Sequence, residues 1–200
     1  MRLNIPFYQQ STEFTCDPAC LMMALKYFCF FEFSKALEFD IWREAYGIGI
    51  PGCMPQGLAV SALARGLKAE LICKKENIIQ ISEKLAKGED REIALFTSKR
   101  LFEKAKEMKL IDKNPELKDI EEVILNNRIP IVMIHMKLLH NIDSPHWVIV
   151  TGFSKDNLWI NDPYNKNGKD ILVKKNKFLE MMGDLEKYSE MGKRVLVVWK

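Results

Sequence analysis

The sequence predicts an α+β fold in which helices occupy the first part of the chain and a sheet occupies the last third. Up to about residue 126, apolar residues recur mostly at helical spacing. Beyond that point, short β-branched and aromatic runs are separated by turn residues, as in a buried antiparallel sheet. Helices followed by strands, without regular alternation, favour segregated layers over a parallel sheet.

The composition is that of an ordinary globular protein. Of 200 residues, 48% are hydrophobic and 28% are charged, and 30 basic and 27 acidic residues leave a net charge of +3. Because basic and acidic residues are nearly equal in number, nucleic acid or an anionic membrane is not expected as the main partner. The length predicts a single domain over residues 1–200.

Neither a membrane span nor a secretion signal is predicted. No apolar run reaches the roughly 18 residues that a bilayer requires, and the first residues lack an apolar signal region. We therefore expect a cytoplasmic protein. The five cysteines are an odd number in a reducing compartment, so no disulfide framework is expected.

The first predicted helix spans residues 17–31. Asp17 is a good N-cap residue, and Pro18 fits the first helical position. The interior of this segment is apolar on every face, and such a helix lies in the middle of a protein. We expect it to be the central helix of the fold.

The remaining elements follow from the same patterns. Residues 77–126 are predicted to be helical and more polar, and residues 47–126 as a whole are expected to form an inserted helical layer. Further helices are predicted at 34–46, with Ser34 as its cap, and at 55–65 and 177–188. The predicted strands are 68–73, 129–136, 147–153, 158–160 and 195–199.

Cys16 stands immediately before the first predicted helix. The unpaired N–H groups and partial positive charge of a helix N-terminus favour a thiolate, which is the reactive form of cysteine. A nucleophilic cysteine also needs a base that a third group holds in one tautomer. Taken alone, the spacing favours a buried core cysteine with no chemical role.

His146 and Asp162 are the candidates for that base and its partner. Taken as strands over 146–150 and 158–162, the two runs begin with His146 and end with Asp162, respectively. A hairpin centred on residue 154 would place them directly opposite one another, with Cβ atoms about 5 Å apart. A register slip of one residue would make the pair diagonal. The alternatives are a structural histidine and a simple turn at Asp162.

Gln10 is the candidate donor for an oxyanion hole. It lies six residues before Cys16 in a segment that is predicted to be a loop. Its amide can reach a carbonyl oxygen beside the nucleophile, and the backbone N–H of Cys16 would be the second donor.

Four segments of the chain resemble a known family. Residues 5–10 (IPFYQQ) and 13–20 (EFTCDPAC) are similar to the N-terminal motif of the C39-type cysteine peptidases. Residues 145–152 (PHWVIVTG) and 161–163 (NDP) resemble that family's histidine and aspartate motifs. The match is closer to the stand-alone C39-like branch, a domain of unknown function often joined to, or encoded beside, acetyltransferases and ATP-grasp ligases.

The resemblance implies a papain-like fold and assigns four roles. Cys16 is the nucleophile, His146 the base, Asp162 the orienting acid and Gln10 the oxyanion donor. The implied activity is hydrolysis of a peptide or isopeptide bond in a peptide or protein substrate, through an acyl-enzyme. No metal or organic cofactor is required, and an acetyltransferase or ATP-grasp ligase is a possible partner.

Two departures from the family pattern limit what carries over. Asp17 stands where the family usually has glycine, and a carboxylate there would raise the pKa of the thiol. His146 follows Cys16 by 130 residues, a long separation for a leader peptidase, so leader-peptide specificity does not carry over. Two alternatives therefore stay open: a peptide-binding module without turnover, and a thiol acyltransferase that acts with a ligase or acetyltransferase partner.

Two other patterns have weaker functional interpretations. Gly47, Gly49 and Gly52 spell a dinucleotide-binding fingerprint, but a helix precedes them, so a turn lining the cleft is favoured. The three histidines lack helical metal-ligand spacing. We predict a structural role for His135 and a surface-loop position for His140.

Overall fold

The computed structural model describes residues 1–29, 31–48, 52–78 and 86–200. In this part of the chain the helices are α1 (Cys16–Cys29), α2 (Lys35–Ala45), α3 (Pro55–Ala64), α4 (Gly88–Lys104), α5 (Leu117–Leu125), α6 (Lys137–His140) and α7 (Lys175–Ser189). The strands are β1 (Lys68–Cys73), β2 (Lys109–Asp112), β3 (Ile129–His135), β4 (Pro145–Phe153), β5 (Asn157–Asn161), β6 (Ile171–Lys174) and β7 (Val195–Trp199).

Within these residues the strands form one sheet in the order β2-β1-β7-β3-β4-β5-β6. The pairing of β1 with β2 is parallel, and the other pairings are antiparallel. β3, near the centre, is buried along its whole length. β1 and β2 come from the middle of the chain, while the other five strands come from its last third. One edge of the sheet is therefore built from a part of the chain that is distant in sequence from the rest.

Helix α1 lies at the centre of the core, as its composition predicted. Every residue from 19 to 25 is fully buried, and the helix packs against β3, β4, α2 and α3. A helix without a polar stripe has no face to offer to water, so it must be covered on all sides. The sheet therefore holds the N-terminal end of α1, and with it Cys16, in a set position.

Most predicted elements are confirmed, with differences at their ends. Ser34 caps α2, and its hydroxyl accepts the N–H of Leu37. Helix α1 begins at Cys16, so Asp17 lies in the first turn and is not the N-cap residue as predicted. Phe31 lies outside the helix.

The prediction that residues 77–126 are helical is wrong in part. Residues 88–104 and 117–125 are helices, but β2 lies between them, and residues 79–85 fall outside the described residues. Strand β6 was also not predicted. The predicted layer at 47–126 thus includes β1 and β2 of the sheet beside its helices.

The β4–β5 hairpin has a different register from the predicted one. Ile149 pairs with Asn161, and a bulge between Val150 and Gly152 shifts the ladder before Gly152 pairs with Trp159. In the register of the Ile149–Asn161 pair, the residue opposite Asp162 would be Val148, two positions after His146. The pair is therefore diagonal, and the directly opposed arrangement was wrong.

The N-terminal segment runs beside this hairpin. Leu3 donates its N–H to the carbonyl of Thr151 at the bulge, at 2.7 Å. Further along, Gln10 donates its N–H to the carbonyl of Pro163, at 3.0 Å. The residues that follow β5 are thereby tied to the segment that leads into α1.

No helix in the described part of the chain is both long and apolar enough to cross a bilayer.

Candidate active site

Cys16 is the first residue of α1, and only 9% of it is exposed. The helix docks on β4 just beside His146. Cys20, one turn later, donates its thiol to the carbonyl of Trp147 at 3.4 Å. The backbone N–H of the same Trp147 lowers the pKa of the Cys16 thiol. The thiol and the imidazole of His146 are thus attached to neighbouring parts of one strand.

The surroundings of Cys16 oppose its ionisation. Burial raises the pKa of the thiol well above its usual value, and the charge of Asp17 acts in the same direction. The backbone N–H groups of Trp147 and Asp17 act in the opposite direction and offset part of this rise in the thiol pKa. The predicted influence of Asp17 on the thiol pKa is confirmed in direction.

His146 and Asp162 are in direct contact despite the diagonal register. Nε2 of His146 lies 2.7 Å from Oδ1 of Asp162, and both side chains are buried. An ionised carboxylate can only accept, so Nε2 carries the proton. Nδ1 is then the ring nitrogen that can take a proton from a thiol.

Asp162 is held as a carboxylate by several donors. Burial alone would favour its neutral form, but hydrogen bonds from His140 and His146 outweigh it and hold its pKa well below the usual range. The backbone N–H of Tyr164 adds a bond to Oδ1 at 3.0 Å. The loop is closed by the N–H of Asp162, which donates to the carbonyl of Gly168 at 2.8 Å.

His140 is a member of this cluster, and its predicted surface-loop position is wrong. Its Nε2 lies 2.6 Å from Oδ2 of Asp162, and its side chain is 9% exposed. His140 is the last residue of α6, a short helix between β3 and β4. Nothing in the sequence pattern indicates this contact, because it depends on the path of the β3–β4 connection.

Asp17 turns away from the helix and holds the loop that contains Cys53. Its Oδ2 accepts the backbone N–H of Cys53 at 2.7 Å, while Oδ1 is buried without a hydrogen-bond partner. Burial raises the pKa of Asp17 from 3.8 to about 6. Gly52 precedes Cys53 at φ +95°, a conformation that glycine adopts without strain.

A cleft of about 120 Å³ opens beside Cys16. Gly52 and Cys53 line it, so the described part of the glycine turn does border the cleft, as predicted; residues 49–51 lie outside the described residues. The remaining lining residues are mostly apolar: Phe14, Met133, Pro145, Trp147 and Met191. The polar ones are Glu13, Asp17 and Ser144.

Gln10 lies near the Asp162 loop and borders a separate depression beside the cleft. That depression is formed with Ser11, Thr12, Glu13 and Tyr164, and Glu13 is common to both. The amide nitrogen of Gln10 donates to the carbonyl of Thr12 at 2.7 Å, and Oε1 is buried without a partner. One amide N–H of Gln10 is thus already engaged within its own loop.

His135 lies apart from these residues. It is fully buried, and burial lowers the pKa of its imidazole. Its Nδ1 accepts the N–H of Lys137 at 3.3 Å, and its ring packs on that of Tyr188. Among residues 1–29, 31–48, 52–78 and 86–200, no cluster of three or more candidate ligands is arranged to hold a metal ion.

Residues 5–198 match the protein family described as Peptidase C39-like. The chain belongs to this family. The match covers nearly the whole chain and includes Cys16, His146, Asp162 and Gln10, and it confirms the family resemblance of the sequence motifs. A search among curated proteins finds no match.

Two solved structures show the same fold as this C39-like chain. One is a double-glycine-motif protease from an AMS/PCAT transporter, crystallised in complex with the leader peptide, with a TM-score of 0.54, 13% identity and coverage of 98% of this chain and 92% of that one. The other is described as a C39-like peptidase from Bacillus anthracis, with a TM-score of 0.50, 12% identity and coverage of 100% and 98%. The likeness confirms the predicted fold class.

Proposed function

We propose that this C39-like chain is a thiol hydrolase that cleaves a peptide or isopeptide bond through an acyl-enzyme on Cys16. One observation carries the proposal. The central helix, whose first residue is Cys16, packs on the strand bearing His146, and Nε2 of His146 lies 2.7 Å from the carboxylate of the buried Asp162. A nucleophile, a base and an orienting carboxylate are the parts that covalent acyl transfer needs.

The reaction assigns each of these groups a step. Nδ1 of His146 takes the proton of the Cys16 thiol, and the thiolate attacks the substrate carbonyl carbon to form a C–S bond. Collapse of the tetrahedral intermediate breaks the C–N bond, and the proton on Nδ1 passes to the leaving amine. Water then attacks the thioester with the help of His146, which releases the acid and restores the thiol.

The negative charge on the carbonyl oxygen needs donors. The backbone N–H of Cys16, at the head of α1, is one, and the amide of Gln10 is the other proposed donor. Because one N–H of that amide binds Thr12, Gln10 would act through its second N–H or after a local rearrangement of its loop.

The cleft supports a peptide as the substrate. It opens directly beside Cys16, and most of its lining is apolar. The transporter protease with the same fold was crystallised in complex with the leader peptide, so this fold can bind a peptide. We therefore propose a peptide or protein segment as the substrate.

A peptide-binding module without turnover is the second candidate function. The observation that favours it is the buried state of Cys16 beside Asp17, which raises the pKa of the thiol. A thiol that stays protonated would leave the cleft able to bind peptides but unable to attack them.

The pH dependence of Cys16 alkylation distinguishes the two candidates. We expect iodoacetamide to modify Cys16 in the folded protein well below pH 8, because His146 takes the thiol proton. The variant His146→Ala is expected to lose this reactivity at neutral pH. The measurement is the rate of modification, assigned to Cys16 by peptide mass spectrometry over a range of pH.

Cys16→Ser is the matched control, since it removes the reacting sulfur and leaves the other thiols in place. A Cys16 that reacts no faster than a free thiol, and at the same rate in His146→Ala, would contradict the proposed hydrolase and favour the binding module.

A further inference from the structure

A second histidine reaches the carboxylate that holds His146. Nε2 of His140 lies 2.6 Å from Oδ2 of Asp162, while Nε2 of His146 lies 2.7 Å from Oδ1. Asp162 is fully buried, and a buried carboxylate is stable as an ion only when its oxygens are hydrogen-bonded. Each imidazole therefore satisfies one oxygen of the same group.

The contacts around His140 fix where its proton lies. Asp162 accepts from Nε2, and the Nδ2 amide nitrogen of Asn165 lies 3.4 Å from Nδ1. With the amide nitrogen of Asn165 donating, Nδ1 of His140 accepts, and Nε2 is the ring nitrogen that donates to Asp162. The ring of Tyr164 packs on this imidazole with centroids 4.8 Å apart.

We infer that His140 is a positioning residue for the proposed hydrolase, so this inference rests on the proposed function. Its bond to Oδ2 keeps Asp162 ionised and turned so that Oδ1 faces His146. His146 then keeps its proton on Nε2, and Nδ1 stays available for the thiol of Cys16. His140 itself touches neither the sulfur nor the cleft.

The titratable groups that face His140 in the described structure are Asp162, His146 and Tyr164. The rings of the two histidines are 6.3 Å apart, so Asp162 couples them. Without a donor at position 140, Oδ2 would be buried and unpaired, and Asp162 would become protonated or rotate. Either change weakens the support for the imidazolium form of His146 and, with it, for the Cys16 thiolate.

The test compares the pH profile of Cys16 alkylation in the native protein, His140→Leu and His140→Gln. Leucine removes the donor, so we expect the inflection to rise by about one pH unit and the rate at pH 7 to fall about tenfold. Glutamine can donate an N–H to Oδ2 without titrating, so its profile should stay close to the native one. Asp143→Asn is the matched control, because Asp143 lies in the same connection but contacts His135.

If His140→Leu has the native pH profile while His146→Ala lowers the reactivity of Cys16, this inference is overturned and the proposed function stands. A profile that His146→Ala does not change overturns both. If His140→Leu does not fold, nitrogen-15 NMR of the native imidazoles decides: two Nε2–H tautomers support the inference, and a proton on Nδ1 of His140 overturns it.

Discussion

Asp17 has two opposing effects on the candidate site. It follows the candidate nucleophile directly and is buried, and one of its oxygens accepts a hydrogen bond from the backbone N–H of Cys53. It therefore serves the structure by holding the cleft turn, while its charge hinders the thiol. The two effects are separable because the hydrogen bond needs only an acceptor, whereas the hindrance needs the negative charge.

Asp17→Asn should make Cys16 more reactive. An asparagine side chain keeps an acceptor for Cys53 but removes the charge, so the thiol pKa falls. Each unit of that fall gives tenfold more thiolate, partly offset by its weaker nucleophilicity, so we expect the alkylation rate at pH 7 to rise about threefold. The difference should vanish at pH 5, where Asp17, with a pKa of about 6, is itself mostly protonated.

Glu13→Gln is the control for this prediction, since Glu13 lines the same cleft but is exposed to solvent, where its charge is screened. Equal rates in Asp17→Asn and the native protein at pH 7 would show that the charge of Asp17 does not act on the sulfur.

At the scale of elements, the turn after β5 is what presents Asp162. The turn closes through the bond from the N–H of Asp162 to the carbonyl of Gly168. A Cβ at position 168 would lie 1.8 Å from the carbonyl oxygen of Asp162, a backbone atom that cannot move without moving Asp162 itself. Only glycine fits this close approach of two backbone segments.

Gly168→Ala should therefore destabilise the protein and disrupt the site together. We expect the free energy of unfolding to fall by about 1 to 3 kcal/mol, in the range for overpacking. The activation of Cys16 should be lost as well, because Asp162 moves from His146. Urea unfolding and the alkylation rate measure the two effects.

Gly183→Ala is the matched substitution, in the middle of α7, where an added Cβ meets nothing within 4 Å. It should stabilise the protein by about 0.5 to 1 kcal/mol through helix propensity and leave Cys16 unchanged. A Gly168→Ala protein with native stability and native alkylation would disprove the proposed role of the turn.

For the whole molecule, Asp17 also makes folding stability depend on pH. Its pKa of about 6 in the folded state exceeds its unfolded value, so between about pH 4 and 6 the folded protein holds a proton that the unfolded chain has lost. Stability from this group is present at low pH and is lost as pH rises through 6. The full effect is on the order of 3 kcal/mol.

Asp17→Asn should remove that dependence. We expect the free energy of unfolding of the variant, minus that of the native protein, to increase by on the order of 3 kcal/mol between about pH 4 and pH 7. Urea denaturation at each pH gives both free energies. Burial lowers the pKa of His135, which makes stability depend on pH with the opposite sign, but His135 is present in both proteins and its effect cancels in the difference. A constant difference across pH would refute the prediction.

The two strands that were not predicted show where sequence patterns lose information. β2 and β6 are the two edges of the described sheet, and neither is buried along its length. An edge strand pairs on one side only and needs little apolar surface, so it leaves no clear hydrophobic run. Interior strands such as β1 and β7 bury most of their residues, and their bounds were predicted correctly.

The sequence by itself determined the central helix, the Ser34 cap, the interior strands and the kinds of groups that carry the proposed chemistry. These depend on local pattern and composition. Only the tertiary structure decided that His140 shares Asp162 with His146 and that Asp17 binds the loop at Cys53. The physical reason is that such contacts join side chains whose connecting loops meet in space, and a bulge of one residue is enough to change which side chains face each other.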